Sequence, residues 1–301
     1  MNLELMKTLT TLHPNQLYKV LCKFLKAKEY TNIKKHKDFI LAEGKNPICL
    51  IAHMDTVFNV PQKKENFLYD SEQKILWGVG GSGFDDRAGI YAIIELLERG
   101  WRPHILFTNG EEIGGIGANE VVTKYTKFPF KTKCKALIEL DRANEKDAVY
   151  YSCDNEEFEK YIESFGFEYD YGTFTDISII APQWKIAAVN LSVGYMMEHS
   201  SNEILHIDWL DATIDKVEKI LKHSDTMKQY RYVPRKNKGY TTKLTPLWDT
   251  DKTCLICGTP LNATNRQPIY NEEFPYCVCK SCYNQYYLTD ETYNAELIKT
   301  F

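Results

Sequence analysis

Absences bound this chain first. No apolar run among its 301 residues approaches the ~18 that a membrane-crossing helix requires. The opening segment, MNLELMKTLTTLHP, has no basic stretch leading into an apolar core, so no export signal is read there and the expected location is the cytoplasm. Charge of one sign is not in excess: 37 Lys and Arg stand against 41 Asp and Glu, a net of −4, which gives no general attraction to nucleic acid or to an anionic membrane. Glycine and proline are sparse at 16 and 11, and there is no internal repeat or low-complexity tract, which excludes collagen-like, disordered and coiled-coil architectures. An even cysteine framework is also missing. Of nine cysteines, four are scattered before position 160 and five crowd between 254 and 282, a distribution suited to a reducing compartment and, for the crowded set, to a metal.

What remains is a globular composition, 44% apolar and 13% aromatic, at a length that suggests about two domains. Leu17, Val20, Leu21, Phe24 and Leu25 recur at helical spacing behind Pro14. ICLIA (48–52), ALIEL (136–140) and IAAVNL (186–191) are instead continuously apolar, as strands are when helices cover both faces of a parallel sheet. Helical patterns separate them: Ile90, Ile93, Ile94 and Leu97, then the segment 118–125, then Leu210, Ile214, Val217 and Leu221. The expected fold is α/β, a three-layer sandwich with a mostly parallel central sheet, over residues 1–227. Residues 228–243, KQYRYVPRKNKGYTTK, hold six Lys or Arg and no acid; residues 228–250 are read as a basic linker, and 251–301 as a small separate module.

Ligands of open α/β sheets bind beyond the carboxyl ends of the strands, and polar residues gather at those ends here. His53 follows ICLIA directly, with Asp55 two residues later. Asp85 and Asp86 stand at the start of the Ile90 helix behind a glycine-rich stretch, where a simple helix cap is the competing reading. Glu111 and Glu112 follow the strand HILFT; adjacent carboxylates repel unless a cation or a proton lies between them. Asp141 closes ALIEL, and His199 follows IAAVNL and a short turn. Mixed nitrogen and oxygen donors point to zinc, with manganese or cobalt as alternatives, and the surplus of carboxylates points to two ions rather than one.

HMDTV, GFDDRAG, GEEIGGIGA, the ELD strand end and GYMMEHSSNE, in this order, resemble the metal-site motifs of the co-catalytic zinc exopeptidases. That superfamily contains the peptidase T type tripeptidases, zinc aminopeptidases and amino-acid deacylases. The resemblance spans roughly residues 45–220. It implies that His53 and Asp141 hold one metal, Glu112 and His199 the second, and Asp85 both. It implies also that Asp55 orients His53, that Asp86 follows Asp85 across a peptide often cis in such enzymes, and that Glu111 is the general base. Only 57 residues separate Asp141 from His199, too few for the lid domain of the peptidase T type, so the chain looks closer to the lid-less aminopeptidases. Arg87, Arg142 and Asp176 adjoin these motifs and are candidates for binding a substrate carboxylate or amine, or for plain salt bridges. Tyr195 is either pocket lining or packing.

Cys254, Cys257, Cys279 and Cys282 form two CxxC pairs with a 21-residue spacer, the pattern of a structural four-cysteine zinc site resembling a zinc ribbon; Cys277 is an alternative ligand to Cys279. Such a module relies on its metal for folding. Its role is open between a cap or dimer contact and a grip on a protein or nucleic-acid partner, with Tyr286 and Tyr287 as the aromatics for stacking. The expected function is hydrolysis of a small peptide by a dizinc aminopeptidase. A carboxypeptidase or N-acyl-amino-acid deacylase is the second reading, and an inactive metal-bound scaffold serving the module is the third.

Overall fold

The computed structural model describes residues 1–58, 61–235, 266–270 and 275–280, and the chain divides into two compact units, Met1–Lys236 and Asn237–Phe301. The first unit begins with helices α1 (Leu3–Thr10) and α2 (Pro14–Ala27) and strands β1 (Ile33–His36), β2 (Phe39–Ala42) and β3 (Asn46–His53). Strands β4 (Phe67–Asp70) and β5 (Ile75–Gly78) precede α3 (Phe84–Glu98), β6 (Pro103–Thr108), α4 (Ile116–Lys124) and β7 (Ala136–Arg142). Then come β8 (Asp147–Val149), α5 (Glu156–Glu163), β9 (Glu168–Asp170), α6 (Asp176–Trp184), β10 (Ala188–Ser192), β11 (Tyr195–Met196), β12 (Ile204–His206) and α7 (Ile207–His223).

Eight strands make one sheet in the order β1-β2-β6-β3-β7-β10-β8-β9. Its four central members, β6, β3, β7 and β10, run parallel. Alternate residues of each buried strand feed two separate cores. Ile48, Leu50 and Ala52 join the core containing Leu17, Leu21, Ile90 and Leu210, whereas Cys49 and Ile51 join the one containing Ala118, Val121, Ile177 and Ile180. Helices thus cover both faces, which is why ICLIA has no polar alternation.

Two features depart from the expectation. The sheet is mixed rather than mostly parallel, because β1 with β2, β2 with β6, and β8 with β10 pair antiparallel. The link between β1 and β2 is only Lys37 and Asp38, and so short a connection can join strands only as a hairpin. A second, four-stranded antiparallel sheet, β11-β12-β5-β4, is built from strands of two to four residues, too short for a period to register in sequence. It flanks the turns carrying Asp85 and His199.

The first residues of the segment read as a linker are not free. Tyr230 donates its N–H to the Lys135 carbonyl and accepts from Ala187, Tyr232 donates to Lys185, and Asp154 donates to Val233; Tyr230 is buried. In the second unit, β13 (Arg266–Tyr270) and β14 (Pro275–Cys279) pair antiparallel, Arg266 opposite Cys279. Cys254, Cys257, Cys282, Tyr286 and Tyr287 lie outside the described residues, as do the side chains of Cys277 and Cys279. Among the described residues no helix is long and apolar enough to cross a membrane.

Candidate metal centre

Because β3, β6 and β7 are parallel neighbours, their carboxyl ends deliver His53, the Glu111–Glu112 turn and Asp141 to one edge of the sheet. His53 is buried, with Nε2 3.1 Å from Asp85 Oδ1 and 3.3 Å from Asp141 Oδ1. His199 reaches the same carboxylate from the other side: its Nε2 is 3.1 Å from Asp85 Oδ2 and 2.9 Å from Glu112 Oε2. Asp85 therefore stands between two imidazole-carboxylate pairs, one oxygen toward each. The Asp85–Asp86 peptide is cis. Asp86 accepts backbone N–H bonds from His53 at 3.1 Å and Gly89 at 2.9 Å.

Supporting carboxylates fix these turns. Asp55 Oδ1 lies 3.5 Å from His53 Nδ1, and the Asp55 carboxylate accepts the N–H groups of Gly110 at 2.7 Å, Glu111 at 3.3 Å and Glu112 at 3.2 Å. It holds the Glu111–Glu112 turn as well as the ring. Glu203 does the corresponding work across the site. Buried, it accepts from Ser82 at 3.2 Å, Gly83 at 2.5 Å and Asp85 at 2.9 Å. Gly83, at φ 67°, begins α3 with no side-chain cap of its own, so Glu203 supplies the acceptor that the first turn needs. Asp141 receives Thr175 Oγ1 at 3.1 Å and Tyr195 Oη at 3.2 Å, and its N–H donates to Asn190. Tyr195 thus tethers a candidate ligand, which is neither of the two roles anticipated for it.

Glu203, Thr175 and Asn190 were missed in the sequence. The only signal for Glu203 was an acid four residues beyond His199; Thr175 and Asn190 carried none, since each meets Asp141 only in the fold. Of the two arginines, Arg142 is engaged by Asp170 at 2.6 Å and Asp147 at 3.6 Å, and buried Arg87 donates to the Leu9 carbonyl at 3.1 Å. Asp176 is fully buried; one oxygen accepts from Thr108, and Oδ1 has no partner.

The electrostatics call for positive charge. Burial first, and neighbouring carboxylates after it, push Glu111 up to about 9, Asp141 up to about 7 and Asp176 up to about 6, and raise Asp86 and Glu139 well above the usual range. Burial opposes ionisation of Asp85 too, but hydrogen bonds from His199 and His53 hold it well below that range. In return, Asp85 and Glu112 push His199 up to about 11. Burial would lower His53, yet the Asp141 charge raises it well above its ordinary value. The carboxylate cluster pushes both imidazoles toward their charged form, a demand for positive charge that two cations would meet. Glu112 Oε1 is buried without a partner, and donor atoms of His53, Asp85 and Glu112, and of His53, Asp86 and Asp141, lie within 4.8 Å of one another. Mixed nitrogen and oxygen donors at this spacing fit divalent ions.

Residues 40–178 match the profile of Peptidase family M28, a segment that holds His53, Asp85, Glu111, Glu112 and Asp141 and ends before His199. No curated protein matches the chain. Among solved structures, the fold is similar to an aminopeptidase PepT from Bacillus cereus, at 15% identity and a TM-score of 0.57 over 74% of this chain and 98% of that one. It is similar also to a tripeptidase from Staphylococcus aureus, at 16% identity and a TM-score of 0.60 over 75% and 98%. The TET1 peptidase of Pyrococcus horikoshii gives 16% identity and a TM-score of 0.53 over 73% and 98%.

Proposed function

We propose that this chain is a two-metal amide hydrolase that removes residues from the amino termini of small peptides. The observation that carries the reading is Asp85, with one oxygen 3.1 Å from each histidine Nε2 and a further carboxylate beside each ring. In this reading His53 and Asp141 hold one divalent ion, Glu112 and His199 the other, and Asp85 both, with zinc the first candidate and manganese or cobalt the alternatives. Three ligand carboxylates and a hydroxide would balance two such ions. The similarity of residues 40–178 to Peptidase family M28, and of the fold to the named peptidases, supports the same reaction class.

When bound, a metal pair lowers the pKa of a shared water and stabilises a developing oxyanion. Glu111 would act as the general base that accepts a proton from the attacking water and returns it to the leaving amine, a contribution of about 10²- to 10⁴-fold. Its pKa of about 9 belongs to the cluster without cations, set by burial and then by Asp141, Asp176 and Asp85. Two divalent ions beside it would offset those carboxylates and part of the burial cost, which favours the ionised form that a base requires. Asp55 keeps Glu111 in place through the N–H bonds of residues 110–112.

The flanking groups favour the amino end of a peptide. A carboxypeptidase or deacylase needs a cation for its substrate's carboxylate; Arg142 is held by Asp170, and Arg87 donates to the Leu9 carbonyl while its buried Nε has no partner. Asp176 keeps an oxygen with no partner, the acceptor type that a substrate ammonium requires. The reading also assigns Cys254, Cys257, Cys279 and Cys282 to one structural zinc in a separate carboxyl-terminal module, and the protein to the cytoplasm. The test is a mass-spectrometric screen of metal-loaded protein against free, N-blocked and C-blocked peptides and N-acyl amino acids. Cleavage that requires a free amine is expected. Sensitivity to the C-block selects a carboxypeptidase, cleavage of acyl amino acids a deacylase, and inertness with both metals bound the scaffold.

A further inference from the structure

At the opposite edge of the sheet from the metal centre, a cavity of about 540 Å³ opens beside the amino-terminal ends of β7 and β10. β7, seven residues long, runs from beside it to Asp141 and Arg142 at the other end, about 20 Å of strand. Its volume lies within the ~300–1,000 Å³ of small-molecule pockets.

The lining is uniform in charge. Lys127, Lys131, Lys133 and Lys185 surround it, and no acidic residue lines it. Three of the four come from KYTKFPFKTKCK, residues 124–135, which holds five lysines and no acid. A fifth cation approaches from β1: Lys34 Nζ is 5.3 Å from the Tyr125 ring centroid and 5.7 Å from that of Phe130. Among the described residues, none of the five lysines around the cavity faces a carboxylate; the acid that meets their segment, Glu43, accepts the Thr132 N–H at 3.1 Å and does not line the cavity. Four lysines around one opening, with no carboxylate in its lining, favour a multiply charged anion.

The floor is aromatic. Phe128 meets the Trp184 ring edge-on at 5.3 Å and Phe130 at 5.5 Å, and the buried His104 ring backs both at 4.9 and 5.7 Å. Gln183 and Gln229 add uncharged amides that can both donate and accept. A simple anion would use the lysines and leave this floor idle. We infer that the cavity binds a nucleoside polyphosphate, with the phosphates on the lysines and the base against the Phe128 side of the floor. The inference is independent of the metal centre.

Calorimetry with the full-length protein tests it, using magnesium-saturated ATP as the probe and inorganic triphosphate, adenosine and a short oligothymidylate as comparators. ATP should bind, more tightly than triphosphate or adenosine by about tenfold or more, since each carries half of the recognised chemistry. Binding should weaken between about 50 and about 200 mM salt. Lys131→Glu with Lys185→Glu should weaken it by at least about tenfold, with the melting temperature recorded to confirm folding. Should that pair not fold, Lys127→Ala with Lys133→Ala removes two of the same charges and should weaken binding likewise. Failure of ATP to bind, affinity unchanged in the folded lysine variants, or triphosphate binding as tightly as ATP would each overturn the inference. Tight binding of the oligonucleotide without ATP would also overturn it, in favour of a strand-binding face.

Discussion

Glu203 offers the most direct perturbation of the site that replaces no candidate ligand or base. Glu203→Ala leaves the N–H groups of Ser82, Gly83 and Asp85 without their buried acceptor. An unsatisfied buried donor costs about 1–3 kcal/mol, so three give a loss of at least about 3 kcal/mol before any readmitted water repairs them. In a domain of this size each kcal/mol lowers the melting temperature by about 2–4 °C, which makes the expected drop about 6–12 °C. Metal affinity should fall as well, because the same carboxylate ties the loop behind His199 to the turn presenting Asp85. Glu203→Gln should recover only part, since its amide keeps one acceptor oxygen and turns a donor toward donors. The assays are thermal unfolding of chelator-treated protein and spectroscopic titration with cobalt. A melting temperature within about 2 °C of the parent, or cobalt binding unchanged at both positions, would refute the clamp.

Three further outcomes are expected. Glu111→Gln should keep both metals and lose about 10²- to 10⁴-fold in turnover, whereas Glu112→Gln should lose metal and regain part of its activity with added zinc; elemental analysis and rates on the same preparations decide it, and the reverse pattern would exchange the two roles. Without metal, stability should decline from about pH 4 to about pH 11. His199 sits at about 11 folded against about 6.5 unfolded, so its contribution is complete below the unfolded value and is lost as pH rises toward the folded one. Asp141 and Glu203, each raised by burial to about 7, lose theirs between about pH 4 and pH 7. Metal affinity should rise over the same range as cations displace those protons, and melting curves with and without chelator that run in parallel would refute the argument. Finally, a chain ending at 236 should melt like the first unit of the whole protein, while one ending at 227 loses buried Tyr230 and its bonds to Lys135 and Ala187, a cost of about 3 kcal/mol or more; equal denaturant midpoints would show that residues 228–235 add nothing.

The parts of the fold that were legible are those in which one residue's chemistry is set by its nearest neighbours in sequence. Apolar runs such as ICLIA are visible because burial on both faces removes every polar position, and His53 is visible because it ends such a run. The antiparallel β11-β12-β5-β4 sheet was not legible, since a strand such as Tyr195–Met196 has no period to read. Nor was the packing of residues 228–235: a lysine- and arginine-rich segment reads as solvated even where its backbone is paired and its tyrosines turn inward.

At the metal centre the same division separates candidate ligands from the residues that hold them. The candidate ligands sit at strand ends and in glycine turns, positions that the sequence itself displays. Their holders act across the fold: Thr175 reaches Asp141 over 34 positions, Asn190 over 49, and Glu203 reaches Asp85 over 118. One regularity does join the two levels. The acid two residues beyond His53 clamps the Glu111–Glu112 turn, and the acid four residues beyond His199 clamps the Asp85 turn. Each histidine is thus followed by a carboxylate that immobilises a loop presenting a partner of the opposite ring: Glu112 beside His199 in the first case, and Asp85, which also meets His53, in the second. Displacing either loop therefore disturbs donors on both sides of Asp85, so the two halves of the centre should lose metal together rather than one at a time.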